Sequence, residues 1–321
     1  MLRVPKISPL VRIILLGVLV GFPGVVRAQQ GYVAVDSFTG KVVRELDSDR
    51  RLPAAGLTKI ATAMVVLDWA RLSQTSMAEM GVVPTSVFGR GGANPMDLHP
   101  GDRISLREAM YSMLLGGDDV AAHTLAIHAG RSIQNRSGGR SPEAAFVAEM
   151  NNLARGLGMT RTRFTTPEGT GRLGGGNRSS ARDLARLAIY AMRNAGFRFY
   201  VKQQQRTIGS FRGNVNRAFK VGNLHPMVGQ GNINGVLNGG RVGIGDCAAT
   251  SSERKARVTR IAGGASQVLP RRLIIIVLGN PSPWALTRAL IDEGWPAYEA
   301  WRQQGSPVRE ARELIKVPEP G

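Results

Sequence analysis

The chain has one cysteine in 321 residues, Cys247, so no disulfide can form within it and its stability must come from packing. Histidine is scarce too. The two nearest neighbours among the four, His123 and His128, stand five apart, whereas two imidazoles sharing a metal on one helix face stand four apart. They read as ordinary helix residues, and neither a metal nor a cofactor is expected. After residue 28 no apolar run is long enough to span a bilayer, and no internal repeat is present. Acidic residues are few, 23 against 42 lysines and arginines, for a formal charge of +19. Yet the chain lacks an aromatic-interleaved basic stripe, a recognition-helix pattern and zinc-finger spacing, which excludes specific nucleic-acid binding as the expected role.

Residues 1–28 carry Arg3, Lys6 and Arg12, the apolar run IILLGVLVGF (13–22) and a Val26-Arg27-Ala28 end. Basic start, short apolar middle and small-residue exit make a signal peptide, which predicts a periplasmic or secreted protein. Its removal takes four positive charges and no acids, leaving +15. The remaining basic residues are spread along the chain, so any polyanion contact is expected through overall charge. With 43% apolar residues the chain can bury the core of one large domain, placed at 29–302. Residues 303–321, with three prolines and scattered charges, read as a flexible tail. No C-terminal anchoring helix follows residue 301, so membrane attachment is not expected once the signal segment is gone.

The patterning predicts a mixed α+β domain. Alternating apolar residues over 31–46, broken at 36–40, predict a hairpin. Leu57, Ile60, Met64 and Leu67 have helical spacing. Ser105 with Glu108 is a capping box opening a helix that ends at Gly116-Gly117. Ser141-Pro142 and Ser180 with Asp183 open two more helices. Strands are expected at 207–211, 257–262 and 271–279 around a glycine-rich turn region, then a last helix over 284–301. Helices packed on an antiparallel sheet follow from that order.

Five segments resemble one family in sequence order. Pro53-Ala54-Ala55-Gly56-Leu57-Thr58-Lys59 is similar to the P-A-S-L-T-K segment of the D-alanyl-D-alanine carboxypeptidases, the low-molecular-mass penicillin-binding proteins or S11-type serine peptidases. LLGGDDVAA (114–122) resembles L-x-S-G-N-D-A-A, and FVAEMNNLARGLGMTRTRFTTPEG (146–169) resembles the helix and strand after it. SSARDLARLA (179–188) is similar to S-T-A-x-D-L-A-x-L-A, and NGVLNGGRVGIGDCAA (234–249) takes the place of D-G-x-K-T-G. The resemblance implies a penicillin-recognising, β-lactamase-like fold, an antiparallel sheet flanked by helices with a helical subregion.

It also exposes the absence that matters most. In the family the S-x-x-K serine attacks the substrate amide, the lysine shuttles its proton, S-x-N completes the network and K-T-G binds the substrate strand. Carried over, the nucleophile position is Gly56, the second serine Gly116, the asparagine Asp118, and K-T-G becomes Leu237-Asn238-Gly239. Only Lys59 and Gly239 keep the family identity there, and no serine stands between Arg51 and Lys59. The backbone N–H groups of Gly56 and Gly240 are expected to keep the places of an oxyanion hole. Lys59 is expected to pair with Asp118 and so to be unsuited as a base. The expected function is a pseudo-peptidase that binds a peptidoglycan stem peptide or a cell-wall enzyme. Two alternatives are a working hydrolase with a displaced nucleophile such as Thr58, and a basic polyanion-binding protein.

Overall fold

The computed structural model describes residues 29–319 apart from 88, 90, 170–175, 243–244 and 261–264; the expected signal peptide lies outside the described residues. The first hairpin, β1 (Gly31–Asp36) and β2 (Val42–Leu46), leads through β3 (Leu52–Pro53) into α1 (Thr58–Leu72). Two short strands, β4 (Met80–Val82) and β5 (Arg103–Ser105), precede the helices α2 (Leu106–Leu115), α3 (Asp119–Ser137) and α4 (Pro142–Gly156). Then come β6 (Arg178–Ser179), α5 (Ala181–Arg193) and α6 (Ala195–Val201). Five strands follow: β7 (Gln205–Arg212), β8 (Val215–Gly222), β9 (Ile233–Val242), β10 (Gly245–Arg260) and β11 (Ser266–Asn280). Helix α7 (Pro283–Gln303) closes the body.

The main sheet is antiparallel, in the order β2-β1-β11-β10-β9. Its middle strand shows why these residues make a sheet: Leu273 to Leu278 are all fully buried, the apolar run expected of a strand covered on both faces. Ile274, Ile276 and Leu278 pack into the large core with α1 and α5, while Leu273, Ile275 and Val277 meet Leu290, Trp295 and Tyr298 of α7. A smaller sheet, β4-β5-β7-β8, edges the helical subregion.

Serine hydroxyls start the helices as expected, Ser105, Ser141 and Ser180 each accepting from a backbone N–H three residues on. The capping box is only half made. Glu108 sends Oε2 to the Ser105 hydroxyl (2.9 Å) and Oε1 to the Gly209 N–H (3.1 Å), tying α2 to β7. The expected glycine-rich turn before residue 257 is instead the first half of β10, where Cys247, Ala248 and Ala249 are fully buried. Small side chains suit a strand sandwiched between two layers. The segment after α7 departs from its tail-like composition: Ile315 is 2% exposed in the large core, its N–H donates to the Gly40 carbonyl (2.8 Å), and Lys41 pairs with Glu313 at 2.5 Å. One buried isoleucine and one ion pair are enough to hold a short segment that composition alone would leave loose.

Candidate active site

The turn before α1 carries the residues that resemble the S-x-x-K motif. Ala55 sits at φ +48°, a left-handed conformation unusual for a residue with a side chain, and Ala55–Leu57 make one 3₁₀ turn. The carbonyl of Ala55 packs on Gly169, where a Cβ would stand only 1.9 Å from the oxygen. The turn sets Gly56 directly against β9. A Cβ built on Gly56 would lie 2.9 Å from the Gly239 carbonyl oxygen and 3.5 Å from its Cα. Position 56 therefore lacks a side chain and also lacks the room for one unless β9 moves. Gly116 is crowded mainly by side chains: its Cβ would lie 2.9 Å from Val221 Cγ1, 3.0 Å from the Ser112 carbonyl oxygen and 3.3 Å from Pro95 Cγ.

Lys59 is one turn further along α1 and 3% exposed. Its Nζ donates to Asp119 Oδ1 at 2.5 Å and to the Glu168 carbonyl at 3.0 Å. The expected partner was Asp118, and that expectation is corrected here. Asp118 is the N-cap of α3, accepting from the Ala121 N–H at 2.9 Å and from the Ser112 hydroxyl at 2.6 Å. An N-cap residue turns its carboxylate back onto its own helix, so the next residue, in the first turn, faces across to α1. Burial pushes the Asp118 carboxyl up to about 6, outweighing the bonds from Ser112 and Ala121. Asp119 spends its other oxygen on the Ala93 N–H (2.8 Å), which ties the loop before β5 to the site.

Four residues here had no role assigned in the sequence: Asp119, His123, Glu168 and Asn177. His123 is four after Asp119 on α3, hence on the same helix face, and its Nε2 is 2.8 Å from Glu168 Oε2. Burial raises the Glu168 carboxyl, but the contact with His123 outweighs it and holds the group below the usual glutamate range. Asn177 Nδ2 donates to Thr58 Oγ1 (3.0 Å) and to the Thr166 carbonyl (2.9 Å), while its Oδ1 accepts from the Thr165 N–H (2.6 Å). Thr58, the example given for a displaced nucleophile, is fully buried and its Oγ1 accepts from Asn177. The i, i+4 spacing of Asp119 and His123 was the one sequence signal for this group.

On β9, Leu237 is 2% exposed and belongs to the core, so the side chain at the K-T-G lysine position points inward. Asn238 donates to the Leu224 carbonyl (3.0 Å), and the Leu224 N–H donates to the Leu115 carbonyl (2.9 Å). The segment at Leu224 thus bridges the α2–α3 loop and β9. Gly240, exposed at φ +67°, gives its N–H to Asn238 Oδ1 at 2.8 Å. One of the two donors expected for an oxyanion hole is accordingly used within the strand. Cys247 is fully buried under this hairpin, and burial pushes its thiol up to about 11, which makes it a packing residue.

Comparison with known proteins adds the context. The Peptidase_S11 family profile, described as D-alanyl-D-alanine carboxypeptidase, matches residues 23–265. The D-alanyl-D-alanine carboxypeptidase of Streptomyces sp. strain K15 is 28% identical over 230 residues, 72% of this chain and 74% of that protein. The D-alanyl-D-alanine endopeptidase of Pseudomonas aeruginosa is 36% identical over 161 residues, 49% of this chain and 45% of that one. Among solved structures, the Streptomyces K15 DD-transpeptidase matches with a TM-score of 0.68 at 24% identity, over 83% of this chain and 96% of that one. Penicillin-binding protein D2 of Listeria monocytogenes matches with a TM-score of 0.63 at 22% identity, over 83% and 96%. The fold is the α+β, penicillin-recognising one that the sequence led us to expect. The chain belongs to the S11 family of D-alanyl-D-alanine carboxypeptidases.

Proposed function

We propose that this protein is an exported, peptidoglycan-binding member of its family in which acyl transfer has been lost. One observation carries the reading: position 56 has no nucleophile, and its missing Cβ direction runs into the Gly239 carbonyl at 2.9 Å. Removing the nucleophile of a serine hydrolase typically costs about 10⁶ in kcat, roughly 8 kcal/mol of barrier. The amine that would serve as base is committed as well, donating to Asp119 and to the Glu168 carbonyl. With Leu237 in the core, no lysine waits at the strand to take a substrate carboxylate.

Binding is a different matter from turnover. Strand β9 is the edge of the main sheet, and an edge offers main-chain donors and acceptors to an extended peptide without help from side chains. Asn238, Gly239 and Gly240 lie on it, and the names of the relatives point to wall peptides ending in D-alanyl-D-alanine. The amino-terminal segment 1–28 supports delivery to the periplasm or beyond, where peptidoglycan or a cell-wall enzyme is the partner.

The test has three readouts on one preparation. After incubation with a β-lactam, the intact mass is expected to be unchanged. No D-alanine is expected from a wall pentapeptide, while the protein is expected to be retained on purified peptidoglycan. A covalent adduct together with D-alanine release would refute the loss of chemistry. Failure to be retained on peptidoglycan would refute the binding role.

A further inference from the structure

On the side of the sheet that carries α5 and α6, a cavity of about 400 Å³ is lined from α5, α6 and strands β9, β10 and β11, with Asn234 at the start of β9 as its nearest approach to the cleft residues of that strand. Its volume is within the range of roughly 300–1,000 Å³ usual for small-molecule sites. Three of its lining side chains are basic, Arg198, Lys202 and Arg272, against one acid, Glu253. Arg272 is 7% exposed; its Nη2 meets Glu253 at 2.9 Å and its Nη1 donates to the Met192 carbonyl at 3.3 Å. Its buried Nε has no acceptor. That N–H lies out of reach of solvent, so the cavity's attraction for an anion rests on its charge and not on this group. Arg198 uses Nη1 on the Met192 and Arg193 carbonyls, and the exposed Lys202 lies 5.5 Å from the Phe199 ring. The cavity therefore carries two positive charges in excess.

The same side continues into an apolar patch. Strand residues alternate faces, so Pro270 and Val268 share the face of Arg272, with Val268 about 13 Å along the strand. Val268 pairs in register with Val258, and the two are 59% and 62% exposed. Pairing with β9 stops at Ser252 and pairing with β1 at Leu273, so the rest of β10 and β11 projects as a two-stranded ribbon. Helix α7 holds its opposite face, through Glu299 to Arg271 at 2.7 Å and to Arg257 at 3.6 Å. Phe199, beside the cavity, is 49% exposed.

We propose that this face docks on an anionic lipid bilayer, with a lipid phosphodiester headgroup held by Arg198, Lys202 and Arg272 while Phe199, Val258 and Val268 enter the acyl boundary. Guanidinium groups match phosphate oxygens in geometry and charge. A soluble anion or an acidic polymer would satisfy the cavity but leave both valines in water. Basic side chains around exposed apolar ones are the pattern of a protein that lies on a membrane without spanning it. Attachment of this kind needs no anchoring helix, and it is independent of whether the α1–β9 cleft turns over substrate.

The test uses the chain from residue 29, which holds every described residue, co-sedimented with phosphatidylcholine vesicles and with vesicles containing one quarter phosphatidylglycerol. Binding is expected only to the second, weakening as salt is raised. Each basic residue near an anionic surface is worth about fivefold, so Arg198→Gln with Lys202→Gln should lower partitioning about 25-fold. Val258→Ser with Val268→Ser should lower it about tenfold by removing apolar burial. Lys202, Val258 and Val268 are exposed, so the thermal midpoint of the valine variant should match the parent. Because Arg198 also bonds the Met192 and Arg193 carbonyls, Lys202→Gln alone, expected to lower partitioning about fivefold, is read beside the double variant. Equal binding to both vesicle types, or unchanged partitioning of either double variant, would overturn the proposal. Saturable binding of glycerol 3-phosphate, with the valine variant still on vesicles, would assign the cavity to a soluble phosphate and overturn it too.

Discussion

The two walls of the α1–β9 cleft differ in kind. On the helical wall, Lys59, Asp119, Glu168 and His123 are buried and hold one another through ion pairs and a hydrogen bond, and the buried Asn177 beside them bonds Thr58 and Thr166. On the strand wall, Leu237 has gone into the core, Asn238 bonds its own strand and the bridging segment, and Gly239 and Gly240 have no side chains at all. A buried charge cannot lose its partner without a large penalty, whereas these four residues of the strand wall bury no charge and only Gly240 among them is exposed. The helical wall is held by charge and hydrogen bonding, and of the four strand residues only Asn238 has a polar side chain.

The comparison breaks if the helical wall proves dispensable. Lys59→Met leaves the Asp119 carboxylate buried without its cation, and should cost about 3–5 kcal/mol, read as a shift in the urea midpoint. A cost near zero would remove the contrast with the strand wall.

The pH dependence sharpens it. In the folded protein Asp118 titrates at about 6, above the ordinary value of 3.8, so the folded state binds this proton more tightly than the unfolded one. The resulting stabilisation is full below about pH 4 and is lost as pH rises through 6. Asparagine keeps the cap without the charge. Asp118→Asn should therefore match the parent near pH 4 and exceed it by about 2–3 kcal/mol at pH 8, at about 1.4 kcal/mol per unit. Parallel stability curves for the two proteins across that range would contradict this. The smallest expected effect belongs to the boundary between the walls. Gly56→Ser forces a side chain against Gly239 and should cost about 1–3 kcal/mol. It should yield no β-lactam adduct by intact mass, because Lys59 stays paired with Asp119.

Local features of this arrangement were legible in the sequence and long-range ones were not. The hairpin at 31–46, the caps at Ser105, Ser141 and Ser180, and the helix over 181–193 follow from residues a few positions apart. The vacancy at Gly56 was equally plain. The choice between Asp118 and Asp119 depends on which way a cap turns, and the doublet itself does not say. His123 and Glu168 meet across 45 positions, and Gly56 and Gly239 across 183, with nothing in either stretch naming the other. Strand β10 was masked by its own small residues, whose turn-like composition serves packing between two layers.

The closeness of Gly56 to Gly239 also bears on how the chain can vary. A serine placed at position 56 meets the Gly239 backbone in the space its side chain would fill, and one placed at position 116 runs into Val221 and Pro95. In the language of fitness landscapes, each serine alone is a step downhill, and a sequence with both lies across a valley.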